Sequence, residues 1–227
     1  MAIRLAVCQV RDVDDSIAAF ARQLGVNSVN VTTAQIADEK GYWELDDLVA
    51  LRRRCESRGL RLEVLENAPH HFYDHIMTGG PRREEQLDKY RITLRNIARA
   101  GIPMFGFHFM ATGVWRTKMD AVTRGGAKTT AFTVADAPAG NEIAHEGSRD
   151  SGRYIADRLD PERRLRLEGT ADEVWENYRV FLEAILPVAD EAGLKLAQHP
   201  DDRPVDDING YARVFNSVEN FDKAMKT

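Results

Sequence analysis

The sequence predicts an α/β protein in which parallel strands alternate with helices, as in an incomplete (β/α)₈ barrel of the TIM type. Four times a helical pattern ends in a glycine that leads directly into a strand pattern, at Gly25, Gly59, Gly101 and Gly193. The first two intervals, 34 and 42 residues, each match one β-α unit. The third interval, 92 residues, holds a unit and an insertion. We therefore expect five parallel strands with flanking helices, fewer than the eight strands of a closed barrel.

The apolar periodicity places each element. Short runs of branched residues indicate strands, and apolar residues that recur every three or four positions indicate helices. The expected strands cover 3–10, 26–32, 60–65, 102–110 and 194–199, and the expected helices cover 14–24, 44–58, 83–100, 171–192 and 217–226. Thr170 and Glu173 form a capping-box pattern before the longest helix. An open, doubly wound sheet remains possible, but the segment after the first strand (QVRDV, 9–13) has no glycine, which argues against a dinucleotide-binding fold.

Residues 114–169 interrupt this pattern directly after the fourth strand. The segment contains Gly125, Gly126, Pro138 and many charges, a composition typical of a long surface loop. We expect it to form a lid over the strand ends with little regular strand. We also expect one domain over residues 1–227, truncated at its C-terminus, because only five β-α units are present.

The composition excludes several classes of protein. The net charge is −5 and basic residues are interspersed with acidic ones, so the sequence shows no basic patch of the kind that binds nucleic acid. Apolar runs are shorter than the about 18 residues of a membrane span, and the N-terminus lacks a signal-peptide pattern. Cys8 and Cys55 fit small core positions, which favours reduced thiols in the cytoplasm.

Polar residues stand at the expected C-terminal ends of three strands. Glu66 follows the third strand, His108 lies at the end of the fourth, and His199 ends the fifth, with Asp201 and Asp202 just beyond. Barrel strands gather such residues at one mouth, and a divalent metal accepts imidazole and carboxylate ligands. We therefore expect a metal or sugar site there. Taken singly, each residue also fits a structural role, as a loop cap or a hydrogen-bonded core group.

Two residues near the start of the insertion suggest an acidic substrate. Trp115 offers a surface for stacking, and the guanidinium of Arg116 offers the two parallel donors that a carboxylate accepts. The alternative is that Trp115 only pins the insertion to the barrel. The loop histidines His70, His71 and His75 have no metal-ligand spacing, and we expect them to be loop residues.

The sequence resembles the mannonate dehydratases of bacterial hexuronate (glucuronate) catabolism. The matching segments, in the family's order, are 62–69 (LEVLENAP), 90–101 (YRITLRNIARAG), 109–110 with 115–117, 187–193 (PVADEAG) and 197–204 (AQHPDDRP). The resemblance implies a xylose-isomerase-like barrel and a hydro-lyase that converts D-mannonate to 2-keto-3-deoxy-D-gluconate with Mn²⁺ or Fe²⁺. The family has Asn where this chain has His108.

The resemblance also implies that His199 is the family's first metal ligand. The other ligands and the acid/base histidine of the family lie on later strands and have no counterpart before Thr227. The catalytic residues are therefore not assigned. We expect a fragment or an inactive relative that holds the metal weakly or not at all.

Two other functions fit the same residues. A sugar isomerase or epimerase on the same barrel would act on a neutral sugar and would need no carboxylate clamp at Arg116. A non-catalytic module that binds a sugar acid or forms a homo-oligomer would follow from the missing ligands. In each case the expected partner is a small molecule or a second copy, with neither nucleic acid nor membrane involved.

Overall fold

The computed structural model describes residues 3–111, 116–136, 169–208 and 210–227. The strands are β1 (Ala6–Val10), β2 (Ser28–Thr32), β3 (Arg61–Glu66), β4 (Met104–Phe107), β5 (Lys118–Val122), β6 (Lys128–Ala131), β7 (Lys195–Gln198), β8 (Asp207–Ile208) and β9 (Tyr211–Ala212). The helices are α1 (Asp15–Gln23), α2 (Leu45–Ser57), α3 (Asp74–Thr78), α4 (Arg83–Arg99), α5 (Ala171–Ala192) and α6 (Val218–Ala224).

The chain divides into two compact units. The first comprises Met1–Ile76, Pro81–His108 and Val180–His199, and the second comprises Met77–Gly80, Phe109–Arg179 and Pro200–Thr227. The expectation of one domain with a lid at 114–169 stays a prediction. Most of that lid, 114–115 and 137–168, lies outside the described residues.

The first unit contains the predicted sheet. Its five strands lie in the order β1-β2-β3-β4-β7, and every neighbouring pair is parallel. Parallel neighbours need crossover connections, which helices supply here. The predicted strand order and direction are confirmed, although four of the five strands are shorter than predicted.

Helix α4 shows why the helical periodicity is informative. Its inward stripe, Leu87, Tyr90, Leu94 and Ile97, is at most 2% exposed. The ring of Tyr90 packs edge-on against Phe105 of β4, with ring centroids 6.2 Å apart. The apolar spacing therefore identifies the face that covers the sheet.

The segment 70–78, expected to be a polar loop, is instead a turn at His70–Phe72 followed by α3. In the first unit, Gln86 of α4 holds this segment. Its Oε1 accepts the backbone N–H groups of His75 and Ile76 at 2.9 and 3.2 Å, and its Nε2 donates to the carbonyl oxygen of His71 at 3.1 Å. Gln86 is 3% exposed. A buried amide thus replaces the solvent that a loop would need for its backbone groups.

In the second unit, β5 and β6 form an antiparallel hairpin, which the sequence did not predict. The expectation of little regular strand over the whole insertion stays a prediction. The Gly-Gly pair that suggested a loop makes the hairpin turn, because Gly125 and Gly126 have φ values of 72° and 78°. The capping box is confirmed: Thr170 N donates to Glu173 Oε2 at 2.8 Å, and Glu173 N donates to Thr170 Oγ1 at 3.3 Å.

The two cysteines have different surroundings. Cys55 is buried, and burial raises the pKa of its thiol to about 11. Cys8 is exposed, so its expected core position is wrong. Cys8 lies on β1, which stands at the end of the sheet order and is largely exposed.

None of the helices in the described part of the chain is both long and apolar enough to cross a membrane.

Candidate functional site

Glu66 is the last residue of β3 and is held by the neighbouring strand β2. Its Oε2 accepts hydrogen bonds from Asn30 Nδ2 at 2.8 Å and from Thr32 Oγ1 at 3.1 Å. Asn30 and Thr32 are two residues apart on β2, so both point to the same face of the sheet. The polar alternation in β2 is a sequence signal for these partners, and it was not among the features that predicted the site.

On the opposite side of Glu66, Gly106 of β4 is its strand partner. A Cβ atom at Gly106 would lie 3.1 Å from Glu66 Cγ and 3.5 Å from Glu66 Cβ. The glycine therefore leaves the room that the Glu66 side chain occupies.

We expect Gly106→Ala to lower the free energy of unfolding by about 1–3 kcal/mol, the usual cost of overpacking. The added methyl group would push the Glu66 methylene away from its hydrogen bonds. The measurement is urea unfolding, with the double variant Gly106→Ala/Glu66→Ala as the control. Because alanine has no Cγ, the double variant should lose less stability than the two single variants added together. Strict additivity would contradict this account.

His108 follows β4 and is 6% exposed. The hydroxyl oxygen of Tyr73 lies 3.2 Å from its Nδ1 and 3.1 Å from its Nε2. The ring of His70 lies beside it, with centroids 5.0 Å apart. No local pattern in the sequence indicates the cluster of His70, Tyr73 and His108. The segment 70–76 is held in position by hydrogen bonds to Gln86, which belongs to another helix.

His199 directly follows β7. Its backbone N–H donates to the carbonyl oxygen of Phe107 at 2.8 Å, so the pairing of β4 with β7 continues past Gln198. Glu66, His108 and His199 thus stand at the C-terminal ends of three neighbouring strands, as predicted. Their use as ligands of a metal or a substrate stays a prediction.

The described residues do not fit a complete metal site. Among them, no three or more side chains of the His, Cys, Asp and Glu types lie close enough together to hold a metal ion. A catalytic metal normally has three protein ligands. The described part of the chain therefore lacks a complete ligand set, and His199 is the residue that the family resemblance implies as a metal ligand.

In the second unit, Asp201 is enclosed by its own protein partners. Its Oδ2 accepts the N–H of Phe215 at 2.7 Å, and its Oδ1 lies 3.5 Å from Nη1 of Arg213. The side chains of Asp201 and Arg213 are both 1% exposed. Burial raises the pKa of the Asp201 carboxyl even though Arg213 opposes this, and burial lowers the pKa of Arg213. These contacts indicate a structural role, and substrate binding by Asp201 stays a prediction.

Asp202, the next residue, makes a bidentate pair with Arg116. The distances are 2.9 Å from Nη1 to Oδ1 and 2.6 Å from Nη2 to Oδ2. Arg116 Nε also donates to Thr130 Oγ1 of β6 at 3.0 Å. The guanidinium fork that we predicted to clamp a carboxylate therefore holds a carboxylate of this chain. Trp115, predicted to stack beside it, lies outside the described residues.

Arg203 adds a third arginine, which was not among the predicted site residues. Its guanidinium lies over the ring of Phe132, 4.0 Å from the centroid, and the residue is 4% exposed. Burial lowers its pKa to about 9, and the charges of Arg213 and Arg116 act in the same direction. The sequence signal that could have pointed to Arg203 is its position directly after Asp201 and Asp202.

Comparisons with known proteins agree with the family resemblance found in the sequence. The D-mannonate dehydratase (UxuA) family model matches residues 12–227. A mannonate dehydratase from Lactococcus lactis subsp. lactis (strain IL1403) is 33% identical over 190 residues, which cover 79% of this chain and 52% of that protein. The chain spans about half the length of the curated relatives it matches.

Solved structures confirm the predicted barrel class. A mannonate dehydratase from Streptococcus suis serotype 2 aligns with 100% of this chain and 62% of its own, with a TM-score of 0.75 and 24% identity. A putative xylose isomerase from Rhodospirillum rubrum aligns with 99% of this chain and 61% of its own, with a TM-score of 0.53 and 16% identity. At these identities the structures show the fold alone, that of xylose-isomerase-like TIM barrels. Since the family model covers almost the whole sequence, this chain belongs to the D-mannonate dehydratase family.

Proposed function

We propose that the chain provides the substrate-binding part of a mannonate dehydratase. The reaction is the conversion of D-mannonate to 2-keto-3-deoxy-D-gluconate, a step of glucuronate catabolism in the cytoplasm. The observation that carries the proposal is the family match over residues 12–227. The polar residues at the ends of β3, β4 and β7 and the carboxylate-binding fork of Arg116 support it.

The chemistry defines what such a site must do. A base removes the proton from the carbon beside the carboxylate, and the hydroxyl of the next carbon leaves as water after it receives a proton. The resulting enol becomes the 2-keto acid. Because charge develops on the carboxylate end, fixed donors there stabilise the transition state more than the ground state.

The residues of this chain fit the binding part of that task. In the second unit, Arg116 holds the carboxylate of Asp202 with two parallel donors, the arrangement that a ligand carboxylate would need. In the first unit, Glu66 has an oriented carboxylate that can accept hydrogen bonds from sugar hydroxyls, and His108 follows the neighbouring strand β4. We assign no residue of this chain as the base that removes the proton.

We further propose that His199 is one ligand of a Mn²⁺ or Fe²⁺ ion. Its imidazole is a suitable donor for either metal. Bound there, such an ion would stabilise the enolate charge as a Lewis acid. The described residues do not by themselves complete a ligand set. Weak binding of the metal by the 227-residue chain is part of this proposal.

The test is 2-keto acid formation from D-mannonate with added Mn²⁺. It is performed with the 227-residue chain and with a chimaera in which the chain is joined to the part of the Lactococcus lactis relative that follows its match. We expect product from the chimaera and none from the chain alone. A chimaera that converts neutral aldoses or ketoses and leaves D-mannonate untouched would favour an isomerase. A chimaera that binds D-mannonate without turnover would favour a binding module.

A further inference from the structure

Two consecutive aspartates in the second unit pair with two arginines in very different surroundings. The pair of Asp201 and Arg213 is sealed, with both side chains 1% exposed. The pair of Arg116 and Asp202 is open to solvent, with side chains 22% and 32% exposed. The sealed pair cannot exchange partners without burying an uncompensated charge, whereas the open pair can.

We propose that the Arg116–Asp202 pair is the closed form of a carboxylate-binding site, in which Asp202 occupies the place of a ligand's carboxylate. Asp202 then sets the affinity of the site for acids. This inference deepens the proposed function, on which its choice of a sugar acid as ligand rests.

The exchange conserves the two hydrogen bonds that Arg116 makes to Asp202. A ligand carboxylate has the same two oxygens as Asp202 and accepts the same two parallel N–H groups. The third donor, Nε, stays on Thr130 and keeps the guanidinium in its plane. The displaced Asp202 carboxylate, already one-third exposed, is hydrated instead, so no buried charge is left behind.

The surrounding contacts keep the backbone in place while the side chain moves. Asp201 N donates to the carbonyl oxygen of Phe215 at 2.9 Å, and Asp202 N contacts the sulfur of Met110 at 3.3 Å. Arg203 stacks on Phe132, which follows β6, so the hairpin and the 200–203 loop remain joined when the ion pair opens. Opening is therefore a rotation of one side chain.

Selectivity for acids comes from the fork itself. A neutral polyol has no charge and no pair of coplanar acceptors, so it cannot replace Asp202 on the fork. The built-in carboxylate thus raises the concentration at which an acid binds, and it leaves the affinity for a neutral polyol, which does not use the fork, unchanged.

The experiment compares ligand binding by four proteins: the wild-type 227-residue chain, Asp202→Asn, Arg116→Gln and the matched charge control Asp222→Asn. Asp222 is an exposed residue of α6. Calorimetry gives the Kd for D-mannonate and for neutral D-mannitol, and NMR of the arginine Nε–H groups follows Arg116 directly. Thermal unfolding verifies that each variant is folded.

We expect Asp202→Asn to bind D-mannonate about two- to fivefold more tightly, since exposed ion pairs are worth that much. Arg116→Gln should bind it about tenfold or more weakly, as a charged hydrogen-bonding group is lost. Asp222→Asn should match the wild type, and the Kd for D-mannitol should be the same in all four proteins.

Acetate serves as a second probe that separates this inference from the proposed function. One outcome is that acetate shifts the Arg116 signal at lower concentration in Asp202→Asn than in the wild type while D-mannonate does not bind. That result would support the carboxylate-binding site closed by Asp202 and would contradict the dehydratase proposal. If Asp202→Asn binds neither acid more tightly than the wild type, Asp202 does not close a carboxylate-binding site, whatever the substrate of the enzyme.

Discussion

Replacing Asp201 by Ala is expected to lower the free energy of unfolding by about 3–5 kcal/mol, the usual result of breaking a buried ion pair from one side. The substitution removes the carboxylate that faces the guanidinium of Arg213, and both side chains are 1% exposed. It also removes the acceptor of the Phe215 N–H. Urea unfolding at neutral pH measures the change.

The neighbouring Asp202 is the matched control, since it is also paired with an arginine but is exposed. Asp202→Ala should cost about 1 kcal/mol or less. The double variant Asp201→Ala/Arg213→Met should recover much of the loss, because it removes both buried charges together. Equal losses for Asp201→Ala and Asp202→Ala would contradict the structural role given to Asp201.

In the chimaera, His199→Ala is expected to abolish 2-keto acid formation from D-mannonate. If His199 binds the metal, its loss removes the ion itself, so the rate should fall by more than the about 10–100-fold typical of outer-shell changes. Product formation with and without Mn²⁺ measures the effect. Line broadening of the protein's NMR signals by Mn²⁺ gives a second readout that does not depend on turnover.

His71→Ala provides the control for loss of an imidazole. His71 lies in the same unit, and its Nε2 is 2.9 Å from the carbonyl oxygen of Asp38, which is a structural contact. This variant should keep its activity and its response to Mn²⁺. If His199→Ala retained full activity, the assignment of His199 as a ligand would be wrong.

The sequence is most informative where the signal is periodic. The stripe of Leu87, Tyr90 and Leu94 predicts helix α4 to within one residue of its observed end, because burial of one helix face leaves a regular apolar spacing. Glycines that precede strands predict where the strands begin, since each one ends a helix with a positive φ. These features are local and can be read from the chain.

Sequence features that do not recur at a regular spacing are ambiguous. The Gly125-Gly126 pair predicts a loop, yet it makes a hairpin turn, because glycine permits both and only the pairing of β5 with β6 decides. The composition of 70–78 predicts a polar loop, yet Phe72 and Tyr73 are fully buried there. Their burial depends on Gln86, a residue of another element.

The sequence by itself determined the parallel sheet, the family and the placement of Glu66, His108 and His199 at strand ends, since all three depend on local patterns and motif order. Only the tertiary structure decided which partners these side chains and the arginines have. Asp201 and Asp202 are adjacent and identical in the sequence, yet one is sealed against Arg213 and the other is exposed beside Arg116. Burial and charge pairing arise from segments brought together by folding, and these determine whether a carboxylate stabilises the fold or remains exchangeable with a ligand.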